Sequence, residues 1–200
     1  MKYLLVGTSP TVLDAMPMID IADFDCVITS NSGFNLVDPD VYVCIDQVAC
    51  WMYCGKAKEM QAGGTKLVTL ARVESAIKSR GIDFFDEFLQ VGEGEPTRDS
   101  WGKFQFSGPF AFEYALRNGA TSVTVVGCDG YRTGTASDYI ESDNSRAIGA
   151  DRAYRRTMEV IGPSFMRLAE LFPEVSIVQI GDPVFDITAE NWEVVQCQTS

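Results

Sequence analysis

The chain of 200 residues contains no histidine. That absence removes several mechanisms at once: no Ser-His-Asp triad, no Cys-His nucleophile pair and no histidine-ligated zinc can be assembled from it. A general base must come from a carboxylate, a tyrosine, a cysteine or a lysine. Positive charge is scarce as well. Sixteen Lys and Arg stand against 28 Asp and Glu, a net charge of −12, which repels phosphate backbones at long range and argues against nucleic acid as a partner. No apolar run reaches the roughly 18 residues of a membrane-spanning helix, so no membrane span is expected. The opening stretch Tyr3-Leu4-Leu5-Val6 is too short for the core of a signal peptide, and Asp14 and Asp20 follow it; a buried first strand is the better reading. The chain also lacks linkers, low-complexity segments and internal repeats. After Gly7-Thr8-Ser9-Pro10 no Gly-Lys-Ser/Thr follows, and Gly-x-Gly-x-x-Gly does not occur there. P-loop ATPases and nicotinamide dehydrogenases are therefore disfavoured.

What is present fits one cytoplasmic globular domain over residues 1–200. Apolar residues make up 46% and charged residues 22%, enough to bury one sizeable core. Of the six cysteines, Cys26 and Cys44 lie in apolar runs that read as buried strands, so reduced thiols are expected and not a disulfide scaffold. The spacing of Cys44, Cys50 and Cys54 does not match a zinc knuckle, and small-residue packing is the simpler account. The pairs Asp23/Asp25 and Asp38/Asp40 precede strands and read as turn and cap residues; no required metal is inferred. The composition leaves a homo-oligomer open.

Short β-branched runs alternate with helical patterns, the signature of a parallel sheet. Strands are expected at residues 2–6, 26–29, 41–45, 66–70, 122–126 and 175–180, with residues 84–91 leaning to strand. Helical patterns cover residues 10–21 with Pro10 opening the first turn, 48–61, 73–78, 108–118 and 146–172, the last broken near Gly162-Pro163. Residues 92–105 read as a loop and 132–144 as a functional loop. The tail after residue 180 is weakly specified. This is an α/β fold of Rossmann-like type: a mostly parallel open sheet flanked by helices, with a lid loop at about residues 130–145.

In such sheets ligands bind outside the carboxyl ends of the strands. The residues there are Gly7, Thr8 and Ser9, then Ser30 to Gly33, then Asp46-Gln47, then Gly127 to Asp129, with Ser107-Gly108 at another helix start. Glycines let a backbone approach a ligand, and helix N-termini offer free amides to phosphate. A nucleotide pocket follows. Arg132, Arg146, Arg152, Arg155 and Arg156 cluster, either as a basic pocket or as a solvated helix face.

The order of these fragments resembles bacterial CMP-sialic-acid-dependent sialyltransferases and the related motility-accessory glycosyltransferases and pterin diphosphokinase-like proteins. The resemblance is carried by Gly7-Thr8-Ser9-Pro10-Thr11, by Ile28-Thr29-Ser30-Asn31, by residues 39–46, and by Ser107-Gly108 with Gly119-Ala120 and residues 123–129. Residues 142–149 add to it. It implies a glycosyltransferase that binds a nucleotide sugar and passes the sugar to an unknown acceptor without a metal. Gly7, Thr8, Ser9, Asn31, Asp46, Ser107, Gly108 and Asp129 would line the nucleotide site. Tyr131 and Tyr139 would donate hydrogen bonds to the leaving phosphate. The family's histidine base falls at Ala150, which cannot accept a proton. Asp151, next to it, either substitutes as base or caps a helix. Three alternatives remain open. One is a diphosphokinase-like transferase using a nucleoside triphosphate and Mg²⁺, with Asp46 and Asp129 as ligands. Another is a nucleotide binder without turnover. The third is a structural or assembly role with a vestigial pocket. Under the transferase reading, Tyr139→Phe lowers kcat far more than nucleotide affinity; steady-state kinetics beside a binding titration check this, and equal losses in both remove the role.

Overall fold

The computed structural model describes residues 1–103, 106–133 and 150–197. The described residues form eight strands: β1 (Lys2–Val6), β2 (Cys26–Ser30), β3 (Val41–Val43), β4 (Lys66–Leu70), β5 (Glu87–Leu89), β6 (Ser122–Val126), β7 (Ser176–Ile180) and β8 (Trp192–Val195). Every neighbouring pair is parallel, in the order β5-β4-β3-β2-β1-β6-β7-β8. The chain builds outward from β1 to β5, returns, and builds outward on the other side from β6 to β8. The reversal falls between β1 and β6, which is where an open α/β sheet places its crevice. The expected α/β, Rossmann-like architecture is what forms, parallel throughout.

Among the described residues seven α-helices flank the sheet: α1 (Val12–Ala15), α2 (Gln47–Met52), α3 (Cys54–Ala62), α4 (Ala71–Lys78), α5 (Ser107–Arg117), α6 (Ala150–Arg156) and α7 (Gly162–Leu171). Alternate strand residues face opposite sides. On one side Tyr3, Leu5, Ile28, Val43, Val125 and Ile177 pack with Phe110 and Phe112 of α5 and Phe165 and Leu168 of α7. On the other, Leu4, Val6 and Val27 meet Val12 of α1, while Tyr42, Cys44 and Leu67 meet Cys50, Met60 and Ile77 of α2, α3 and α4. Each fully buried phenylalanine such as Phe110 contributes about 1.5–3 kcal/mol. The edge strands β5 and β8 are only three and four residues long, which leaves few open ladder groups for another chain. Among the described residues no helix is long and apolar enough to cross a membrane.

The structure departs from the sequence expectation in four places. The helix expected over residues 10–21 shrinks to α1, followed by 3₁₀ turns at Met16–Met18 and Ile21–Asp23, because Pro17 has no amide and its ring collides with the preceding turn. The stretch 48–61 splits at Tyr53, whose ψ of 7° leaves helical geometry. The break expected at Gly162-Pro163 is absent; a π-helical segment at Thr157–Ile161 absorbs the proline and runs directly into α7. The tail contains β8, which the sequence pattern did not reveal. Residues 92–103 carry no helix or strand, as expected. From residue 134 on, the expected lid and Tyr139 lie outside the described residues.

Helix α5 matters most for position, since it lies across β1, β2 and β3 and its first turn therefore sits above their carboxyl ends. A buried ion pair anchors its other end. Glu113 is fully buried and pairs with Arg117, one turn later, at 2.7 Å. The Arg117 guanidinium also donates to the carbonyls of Thr97, Arg98 and Ser100 at 2.6, 2.8 and 2.5 Å, tying the loop before α5 to the helix. The backbone amide of Gly102 donates weakly to Glu113, at 3.4 Å. Burial pushes the Glu113 carboxyl up to about 7, against the opposing pull of Arg117 and the Gly102 amide. An unfolded glutamate titrates near 4.3. The stability linked to the protonated form is thus complete below about 4.3 and is lost as pH rises to about 7. Glu113→Gln removes that linkage. Its Tm relative to the parent should increase steadily between pH 4.5 and 7.5 in buffered thermal melts (roughly that window), whatever its absolute level; parallel curves would contradict it.

Candidate functional site

At the reversal point the loops after β1 and β6 touch through their backbones. The Gly7 amide donates to the Val126 carbonyl at 2.8 Å and the Ser9 amide to the Gly127 carbonyl at 2.9 Å. A Cβ on Gly7 would lie 2.2 Å from the Gly127 oxygen and 2.6 Å from Cys128 Sγ. Gly127 itself has φ +66° and stands against Val12. These two glycines therefore serve loop-to-loop contact, a use that leaves no room for a side chain at either position.

Asp129 fastens the same corner. Its side chain is fully buried. Thr11 Oγ1 donates to Oδ2, and Gln179 Nε2 of β7 donates to Oδ1 at 2.9 Å. The Asp129 carbonyl accepts from Val184 at 2.9 Å. The carboxylate thus joins the β1 loop to β7 and is held away from solvent. Beside it, burial and then the nearby Asp129 charge push the Cys128 thiol well up, so this cysteine is a neutral packing group.

The first turn of α5 completes the crevice. Gly108 stands next to this corner: a Cβ there would lie 3.6 Å from Cys128 Sγ. Phe106 precedes the helix and supplies no side-chain cap. Pro109 has no amide, and the amides of Ser107 and Gly108 have no partner among the described residues. A helix start in this condition presents donors and a partial positive charge. The Arg156 guanidinium lies over the Phe106 ring at 5.6 Å, and Tyr131 meets the same ring edge-on at 6.3 Å. The π-helical segment fixes Tyr131: its amide donates to Thr157 Oγ1 at 2.7 Å, and that hydroxyl donates back to the Tyr131 carbonyl at 3.3 Å. Gly130, at φ +89°, permits this approach, since a Cβ there would meet Thr157 Cγ2 at 2.5 Å.

The remaining expected residues divide. Thr8 and Ser9 are buried at the β1 end, with Ser9 Oγ 3.3 Å from Thr11 Oγ1. Asn31 adopts φ 50°, a left-handed conformation uncommon outside glycine. Its turn lies against β1, because a Cβ on Gly33 would sit 2.9 Å from the Val6 carbonyl. Beneath it, Thr29 Oγ1 is buried without a partner. Asp46 caps α2, accepting from the amides of Val48 and Ala49 at 2.6 and 3.4 Å. It follows β3, two strands from β1, so roughly 10 Å away along the edge. Asp151 lies in the first turn of α6, exposed. Gly7, Thr8, Ser9, Ser107, Gly108, Asp129 and Tyr131 are therefore brought to one corner, while Asp46 is not.

Sequence reasoning missed Phe106, Thr157, Thr11 and Gln179. A glutamine inside the otherwise apolar run of β7 was the available signal for the last of these. A further cavity of roughly 220 Å³ opens at the ends of β4 and β5, lined by Arg72, Leu89, Val91 and Lys103 among others. It lies three or more strands from β1. Among the described residues no group of three or more His, Cys, Asp or Glu side chains is placed to hold a metal ion.

Comparison with protein-family models, with curated proteins and with solved structures finds no match. The site's own geometry carries the functional argument. Gly7→Ala should cost about 1–3 kcal/mol by forcing the two loops apart; urea unfolding measures it, and a loss within a few tenths would show that the corner yields freely.

Proposed function

We propose that the protein binds a nucleotide sugar at the β1–β6 crevice and transfers the sugar to an acceptor. The observation that carries this reading is the free start of α5 at the point where the strand order reverses, with the Arg156 guanidinium over the Phe106 ring beside it. Two backbone amides and a guanidinium suit the phosphate of such a ligand. The Phe106–Tyr131 pair offers an aromatic surface for its base. In the reaction, negative charge grows on the leaving phosphate as the sugar bond breaks. Donors already aimed at that position stabilise it with little reorganisation, and Arg156, the Ser107 and Gly108 amides and the Tyr131 phenol fill that role. Asp151 is on the helix that carries Arg156 and stands exposed; it takes the acceptor's proton.

The carboxylates that a magnesium-dependent transferase would use are engaged by protein donors: Asp129 by Thr11 and Gln179, Asp46 by the α2 amides. This favours the reading without a metal. Six free thiols suit a reducing compartment, in keeping with a cytoplasmic enzyme.

A thermal-shift screen of nucleotides and nucleotide sugars, with and without magnesium, tests the binding step: a rise in Tm with at least one of them is expected. Arg156→Ala should weaken that ligand about tenfold, the equivalent of about 1.4 kcal/mol. Asp151→Asn should lower kcat by about 10²-fold or more at unchanged affinity. Absence of any stabilising nucleotide would sink the reading, and recovery of unaltered ligand after long incubation would reduce it to binding alone.

A further inference from the structure

The mechanism above uses no cysteine, yet two thiols face each other beneath the loop that follows β3. Cys44 Sγ and Cys50 Sγ are 3.4 Å apart. Cys44 lies just past β3 and Cys50 in the first turn and a half of α2; they are 0% and 2% exposed. The Cys44 backbone is fixed on both sides by β4: its amide donates to the Val68 carbonyl at 3.1 Å, and its carbonyl accepts from Thr69 Oγ1 at 2.6 Å. Cys50 is carried by a helix of six residues with Val48 and Met52 exposed on its outer side. Such a helix has few anchoring contacts and can shift or open locally.

We infer that Cys44 and Cys50 form an oxidative modification site, a dithiol that closes to a disulfide with a two-electron oxidant such as hydrogen peroxide. The chemistry balances within the pair. The Cys50 thiolate attacks peroxide, the O–O bond breaks, and the departing hydroxide takes up the thiol's proton as water. Cys44 sulfur then attacks the resulting sulfenic sulfur, the S–O bond breaks, and the second water leaves with the Cys44 proton. Two thiols and one peroxide give one disulfide and two waters. Cys50 is the attacking group because its short helix can open toward an oxidant and its contact with Cys44 shifts its thiol downward, whereas Cys44 is fixed in the sheet and its thiol is pushed up by that contact and by burial. The sulfurs must close from 3.4 Å to about 2.05 Å. With Cys44 fixed in the sheet, it is α2 that moves. The ring formed encloses Asp46, whose cap starts that helix, so oxidation locks the helix start to the sheet.

The test treats the folded protein with hydrogen peroxide, blocks remaining thiols and cleaves on the amino side of aspartate. The peptide beginning at Asp40 should appear linked to the one beginning at Asp46, and dithiothreitol should release it. Because Cys54 shares the second peptide, the link should vanish in Cys50→Ser and persist in Cys54→Ser. The half-exposed Cys54 makes the latter variant safe for folding. The link should form at least tenfold less efficiently in protein oxidised in urea. No linked peptide from folded protein, a link that survives Cys50→Ser, or equal yield from unfolded chain would each overturn the inference.

Discussion

The structure depends on the contact between the loops that follow β1 and β6. The order of strands reverses there, and among the described residues the two halves of the sheet share one strand ladder across that seam. Two glycines let the loop backbones meet, and a buried carboxylate fastens both to β7. A fully buried Asp129 in that position needs its donors. Removing one partner of a buried charge is far more damaging than the pair is stabilising, so Thr11 and Gln179 are as much part of the corner as the aspartate is. The α5 start and the π-helical segment are then placed against a rigid base.

Two kinds of group occupy this corner, and they divide the work. The glycines, Asp129 and Gln179 face inward and set distances. Ser107, Gly108, Tyr131 and Arg156 border the open side. Arg156 has no carboxylate partner among the described residues in a protein of net charge −12. A chain so acidic needs a local concentration of positive potential before a phosphate can approach. Under the proposed reading, the amides of a helix start and one guanidinium supply it without altering the overall balance.

Much of the fold was legible because parallel strands buried on both faces read as continuous apolar runs: β1, β4 and β6 have the bounds that the sequence gives them. β8 was not, since a four-residue edge strand with Glu193 in it carries almost no periodic signal. The first helix was overread because the pattern of apolar residues outweighed Pro17. The strand-end rule named the loops after β1 and β6 that meet at the corner. It did not reveal that Gly7 and Asp129 serve the protein's own packing, because that depends on which loop meets which. Asp46 illustrates the same gap: an aspartate before a helix fits both a ligand contact and a cap, and only geometry separates them. Phe106 and Thr157 gave no local sign at all, as their importance arises from partners distant in the chain.

The strand order has a kinetic consequence. Tyr3 pairs with Val123 across the seam, and the Met1 amine reaches Thr121, so this ladder closes a loop that spans more than half of the chain. Ladders of β1 through β5 form between near neighbours, whereas the β1–β6 ladder must await the collapse of everything between them. Of the ladders in the sheet, this one carries the largest loop-closure cost. Under the proposed reading, a ligand seated in the crevice would bridge the two sides of the seam, and occupancy would be felt as slower disassembly of the whole molecule as well as tighter local order.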